Sequence, residues 1–168
     1  MKRIVVLAGM FCLLAGLIGC SSNLGEALLN ADIDVMNKAA AQLRSVKDRV
    51  NEAVQKAAKD NKSLTDTDLK PAVEAAKALK EIGNALQKLK EKTDTLKDST
   101  TPEEREELAK RFSGRMQTAT VDLIKAQQEL DQAIRKAEGA RSERDAVVTL
   151  KNTLREAEGE FEVLAKQQ

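Results

Sequence analysis

The strongest constraint on this 168-residue chain is a spacing. Met36, Ala39, Leu43, Val46, Val50, Ala53 and Ala57 recur at alternating steps of three and four. That interval keeps one side of an α-helix turned toward the same neighbour, as in a coiled-coil seam. The run stops at Asp60-Asn61-Lys62-Ser63, a cluster of residues that favour turns. A second seam follows through Ala72, Ala75, Leu79, Ile82, Leu86, Leu89, Thr93 and Leu96. Thr65, Asp66 and Thr67 stand before it as candidate caps, and Pro71 is expected near the first turn, where its missing N–H does little harm. This seam ends at Asp98-Ser99-Thr100.

The third start is the clearest boundary. Thr101 precedes Pro102 and lies three residues before Glu104, the order of a capping box, with carboxylates in the first turn where the helix dipole favours them. Its seam is Phe112, Met116, Ala119, Leu123, Ala126, Leu130, Ala133 and Ala137. A new phase begins with Val147, Leu150, Leu154, Ala157, Phe161 and Leu164. The change of phase means either a stammer in one very long helix or a turn near Gly139–Ser142, and Ser142 three residues before Asp145 favours the turn. Segments 31–60, 67–98 and 102–138 are each roughly 45–55 Å long as helices and match as antiparallel neighbours. The expected fold is all-α: an antiparallel coiled-coil-like bundle of three long helices, with the third broken near 139–142 if a fourth folds back. The Ala at alternate seam positions implies close packing. No repeat of solenoid length is present.

Composition agrees. There is no Trp or Tyr, Phe occurs only at positions 11, 112 and 161, and Pro only at 71 and 102. Charged residues make up 33% of the chain, with both signs interspersed. A nucleic-acid binder would carry a basic stripe with aromatics for stacking, and neither is present, so no nucleic-acid partner is expected.

The first twenty residues are of another kind. Lys2-Arg3 is followed by an apolar run from Ile4 to Ile18, too short for a permanent span and suited to export. It ends in Leu17-Ile18-Gly19-Cys20. This segment resembles the signal peptide and lipobox of bacterial lipoproteins: an apolar branched residue, a small or β-branched one, Gly or Ala, then the acylated Cys. The resemblance implies that diacylglyceryl is transferred to Cys20, that residues 1–19 are removed, and that acyl chains on Cys20 hold the protein at a membrane. Since each buried methylene contributes about 0.8 kcal/mol and one chain anchors only marginally, two or three chains on one residue make a lasting anchor. It also implies that Ser21, next to the acylated Cys, directs the protein to the outer membrane in a diderm cell. Cleavage takes Lys2 and Arg3 away, leaving 26 basic against 27 acidic residues, or −1. Cys12 leaves with the signal, so the mature chain has no free thiol and no disulfide. Three regions are therefore expected: signal peptide 1–19, lipidated N-terminus and tether 20–30, and one helical domain 31–168.

Side chains for common chemistry are scarce. There is no His, no Gly-rich phosphate loop and no nucleophile-elbow motif. The carboxylates of Asp60, Asp66 and Asp68 have a spacing that suits Ca²⁺, but the Gly and closing Glu of an EF-hand loop are missing and helix caps explain each residue. Asp32 and Asp34 are expected to be solvated. No catalytic, cofactor or metal residue is assigned, and no enzyme is expected. Two functions remain: a membrane-anchored envelope lipoprotein that contacts another envelope protein or the cell wall, or an amphipathic helical protein that lies on bilayer surfaces. The second usually needs a wide apolar face rimmed by Lys and Arg with bulky aromatics, whereas these seams are narrow and rich in Ala. Homo-oligomerisation is compatible with both.

Overall fold

The computed structural model describes residues 21–140 and 144–165, and they form a four-helix bundle. The helices are α1 (Ser21–Lys59), α2 (Asp66–Lys97), α3 (Pro102–Gly139) and α4 (Arg144–Ala165). The seam turns inward in α1, where Met36, Ala39, Leu43, Val46, Val50, Ala53 and Ala57 are all buried. It does so in α3 as well, with Met116 only partly covered and Ile134 added to the core.

Each boundary has a local cause. After Lys59 the chain closes in a Schellman arrangement: the Lys62 amide donates to the Ala57 carbonyl at 2.9 Å and the Asn61 amide to Ala58 at 3.2 Å. Asn61 supplies the left-handed residue this needs, with φ of 51°. Thr65 caps α2: its hydroxyl accepts from the Asp68 amide while the Asp68 carboxylate accepts from the Thr65 amide at 3.1 Å. Thr101 and Glu104 repeat this box at α3, at 3.3 and 3.1 Å. The third seam does break. α3 stops at Gly139 and α4 folds back, with Glu138 and Lys151 paired across the turn. The Ser142 capping signal, the signal-peptide region 1–19 and Cys20 lie outside the described residues, as do the side chains of Phe161 and Leu164.

Three local expectations change. Residues 21–30, expected as a tether, are the first turns of α1. Pro71 sits in the second turn of α2, past the first-turn positions where a missing N–H costs nothing. The α2 seam is also displaced: Leu69, Ala72, Ala76, Leu79, Gly83 and Leu86, themselves spaced three and four, are buried, while Ala75, Ile82, Leu89, Thr93 and Leu96 of the expected seam are only half-buried. The reason is topological: α2 packs against α1 on one side and α4 on the other.

Direction follows from paired residues. Glu26 meets Arg111, Arg44 meets Asp122 and Lys47 meets Glu129, so the numbers rise together and α1 and α3 run parallel. The turns reverse α2 against α1 and α4 against α3, which leaves α2 and α4 parallel. Around the bundle the order is α1, α2, α4, α3, with α3 and α4 meeting sparsely. Up-and-down alternation holds, but α3 packs on α1 and not on its sequence predecessor α2.

Candidate functional site

The residue to which the sequence assigns chemistry, Cys20, lies outside the described residues. What the structure does describe is the platform that follows it. α1 begins at Ser21, so helix continues directly from the residue next to Cys20. The start of α1 is tied to α3: Arg111 reaches Glu26 at 3.2 Å and Arg115 donates to the Asn30 side-chain oxygen at 2.8 Å. Gly25 faces Leu108 across this contact, where a Cβ would come within 2.8 Å of Leu108 Cδ1 and turn that methyl aside. Arg111 and Arg115 also lie over the Phe112 ring, at 5.8 and 5.7 Å from its centroid, and Phe112 is buried beneath them.

Farther along, the same helix pair carries a polar ladder. Arg44 grips Asp122 with both terminal nitrogens, and Lys47 contacts Glu129 at 3.3 Å. The hydrogen bond from Arg44 holds the Asp122 carboxyl below its usual range. Asp68 is lowered as well, first by its hydrogen bond from the Thr65 side chain. These groups are committed to caps and register. The expectation that capping explains the 60–68 cluster holds for Asp68, and among the described residues no three His, Cys, Asp or Glu side chains gather as a metal site.

Asp32 departs from the sequence reading. Counting back four from Met36 places it in the α1 seam, and it is half-buried where a solvated carboxylate was expected. Burial raises its carboxyl to about 6, and among the described residues nothing donates to it. The signal was present in the sequence: the three–four spacing extends through Asp32, but its charge hides the slot.

Two surface features remain. A groove runs between α3 and α4 where they splay, with Ile134 and Leu154 at its base and Asp131, Arg135, Glu138, Lys151, Asn152 and Arg155 around it. Glu138 and Lys151 already pair across it. The large apolar side chains exposed among the described residues are Leu24, Val121, Ile124 and Val148. Only Val121 and Ile124 share a helix face. No described helix is long and apolar enough to cross a membrane. No protein-family model matches this chain, and no curated protein or solved structure does either.

Proposed function

We propose that this chain is a lipid-anchored protein of the bacterial cell envelope, acylated on Cys20, whose helical body has a structural or protein-interaction role. The observation that carries the reading is Leu17-Ile18-Gly19-Cys20 at the end of a basic-then-apolar export segment. The signal peptide is 1–19, acyl chains on Cys20 are the membrane contact, and Ser21 favours the outer membrane in a diderm cell. The body is not an enzyme on this reading. Its partner is another envelope protein or a cell-wall component.

The structure lends support in one respect. The apolar seams are spent helix against helix, so no wide apolar face is left for a bilayer among the described residues. A body already held by acyl chains needs no such face, and tethering raises the local concentration at which its polar surface meets a partner. The alternative, a helical protein lying on bilayer surfaces, would require the bundle to open and give up this burial. The test is growth with a labelled fatty acid, comparing the parent with Cys20→Ser. Label on the parent and its loss from an uncleaved Cys20→Ser precursor is the expected result; label retained by the variant overturns it.

A further inference from the structure

α1 starts at Ser21, the residue after Cys20, and runs without interruption to Lys59, about 57 Å of helix. Its first turns are fastened sideways to α3, by Arg111 on Glu26, by Arg115 on Asn30 and by Leu108 against Gly25. A body hung from a flexible tether takes any orientation at a membrane, whereas here the residues that would form a tether belong to the bundle. We propose that the body stands end-on at the membrane, on the end formed by the start of α1 and the α2–α3 turn, with its far end about 55 Å out in the aqueous compartment. This orientation rests on the acylation of Cys20 proposed above and adds to it which surface faces the lipid.

Register shows what this end presents. Glu26 stands level with Arg111, yet Arg111 is farther from the start of its helix, so α3 begins about 6 Å beyond Ser21. That overhang carries the α2–α3 turn, Asp98-Ser99-Thr100-Thr101, to the depth of the lipid headgroups once the acyl chains of Cys20 enter the hydrocarbon. The turn is polar. Ser99 and Thr100 donate to the Leu96 carbonyl and Thr101 caps α3, so no apolar side chain of the turn has to enter the lipid. Leu24, four residues after Cys20, is the one large apolar side chain exposed at this end among the described residues. The long sides of the bundle are different. They carry interspersed Lys, Arg, Asp and Glu, and among the described residues Val121 with Ile124 is their only exposed pair of large apolar side chains. That falls short of the wide apolar face with which helices lie in an interface.

Standing end-on sorts the surface by height. Lys47 pairs with Glu129, which sets residues 131–138 of α3, and with them the groove between α3 and α4, about 40–55 Å from Ser21 along the bundle. Arg135, Asn152 and Arg155 line that groove and are exposed. They are therefore presented to a partner that stands off the membrane in the aqueous compartment, and a partner confined to the lipid does not reach them.

The test expresses the full-length chain with Ser99→Cys or Ser63→Cys, both exposed positions at opposite ends of the bundle, and purifies the processed protein. Its mass is read for the acyl group. With Cys12 removed and Cys20 acylated, the introduced thiol is the only one to take a fluorescent donor. The protein is reconstituted into phosphatidylcholine vesicles that carry an acceptor on their headgroups. Energy transfer about five-fold stronger from position 99 than from position 63 is expected, given the ~55 Å between the two ends. A Gly-Ser insertion of about six residues after Ser22 restores a flexible tether. It is expected to bring the two transfers together while the acyl mass and the helicity stay unchanged. Equal transfer from both positions of an acylated chain, or an insertion that leaves the difference intact, overturns the orientation and leaves the acylation standing. Absence of the acyl mass overturns both.

Discussion

Arg44 and Asp122 face each other across the parallel pair α1 and α3 in a two-point contact, Nη1 to Oδ2 at 3.0 Å and Nη2 to Oδ1 at 2.5 Å. Parallel neighbours place like ends of the helix dipole together, so the pairing gains nothing from dipoles and depends on side chains for its register. A planar guanidinium gripping a carboxylate at two points fixes both distance and rotation, which a Lys at position 44 would not. Lys47 with Glu129 and Arg111 with Glu26 hold the same register above and below.

Because these pairs are accessible to water, their expected contribution to stability is small and sensitive to salt. Arg44→Met lowers the melting temperature slightly at low ionic strength, and the difference shrinks at about 1 M salt, where charges are screened within ~3 Å. Melting curves of parent and variant at the two salt concentrations check this. The Asp122 carboxyl is depressed in the folded chain. Its stabilisation is thus present above the ordinary carboxylate pKa and is lost as pH falls through the folded value.

Burial predicts a different scale for the seams. Leu86 is 1% and Leu123 8% exposed. Truncating either to Ala costs about 2–5 kcal/mol, from lost transfer energy plus the cavity left behind. Leu96, only half-buried near the end of α2, costs clearly less. Denaturant unfolding of the three variants gives the order directly; equal, small losses for Leu86→Ala and Leu123→Ala would mean that the bundle is packed otherwise.

Asp32 has the opposite pH sign to Asp122. Its folded carboxyl is raised to about 6, above the unfolded value of 3.8, so the folded chain takes up a proton between those values. The destabilisation of a buried, unpaired charge is therefore full above pH 6 and is relieved as pH falls toward 4. Asp32→Asn raises the melting temperature at pH 8, and its advantage narrows by pH 4.5. The charged groups of α1 nearest in sequence, Asp34 and Lys38, are exposed, and the ion pairs of Asp122 titrate below this window. A constant advantage across the range would show that the carboxyl stays ionised throughout.

These contrasts show which parts of the fold were legible in the residues. The α1 and α3 seams read correctly because each has one dominant inner stripe, and Thr101-Pro102-Glu103-Glu104 announces its own cap. The expected α2 seam is displaced because the residues do not say that α4 packs on a second side of α2, which leaves Ala75, Ile82 and Leu89 half-buried while Leu69, Ala76 and Gly83 are buried. Leu64 is fully buried yet sits among polar turn residues, where periodicity has nothing to grip. Up-and-down alternation follows from short turns, but the choice of α1 over α2 as the neighbour of α3 depends on long-range pairs such as Arg44 with Asp122. Of the candidate site, Leu17-Ile18-Gly19-Cys20 is a local word carried by the residues alone, and the anchor proposed from it rests on that word. The half-buried Asp32 was masked by its charge.

Flotation of the unacylated body, residues 21–168, with neutral and anionic liposomes at physiological salt tests most directly whether the membrane contact belongs to Cys20 and not to the helices. The seams are closed helix on helix, so the body is expected to stay in the unbound fraction with both liposome types and to keep its helicity and melting transition. Co-flotation with either, accompanied by loss of that transition as the bundle opens, would contradict the anchored interaction role and favour a protein that works by lying on lipid.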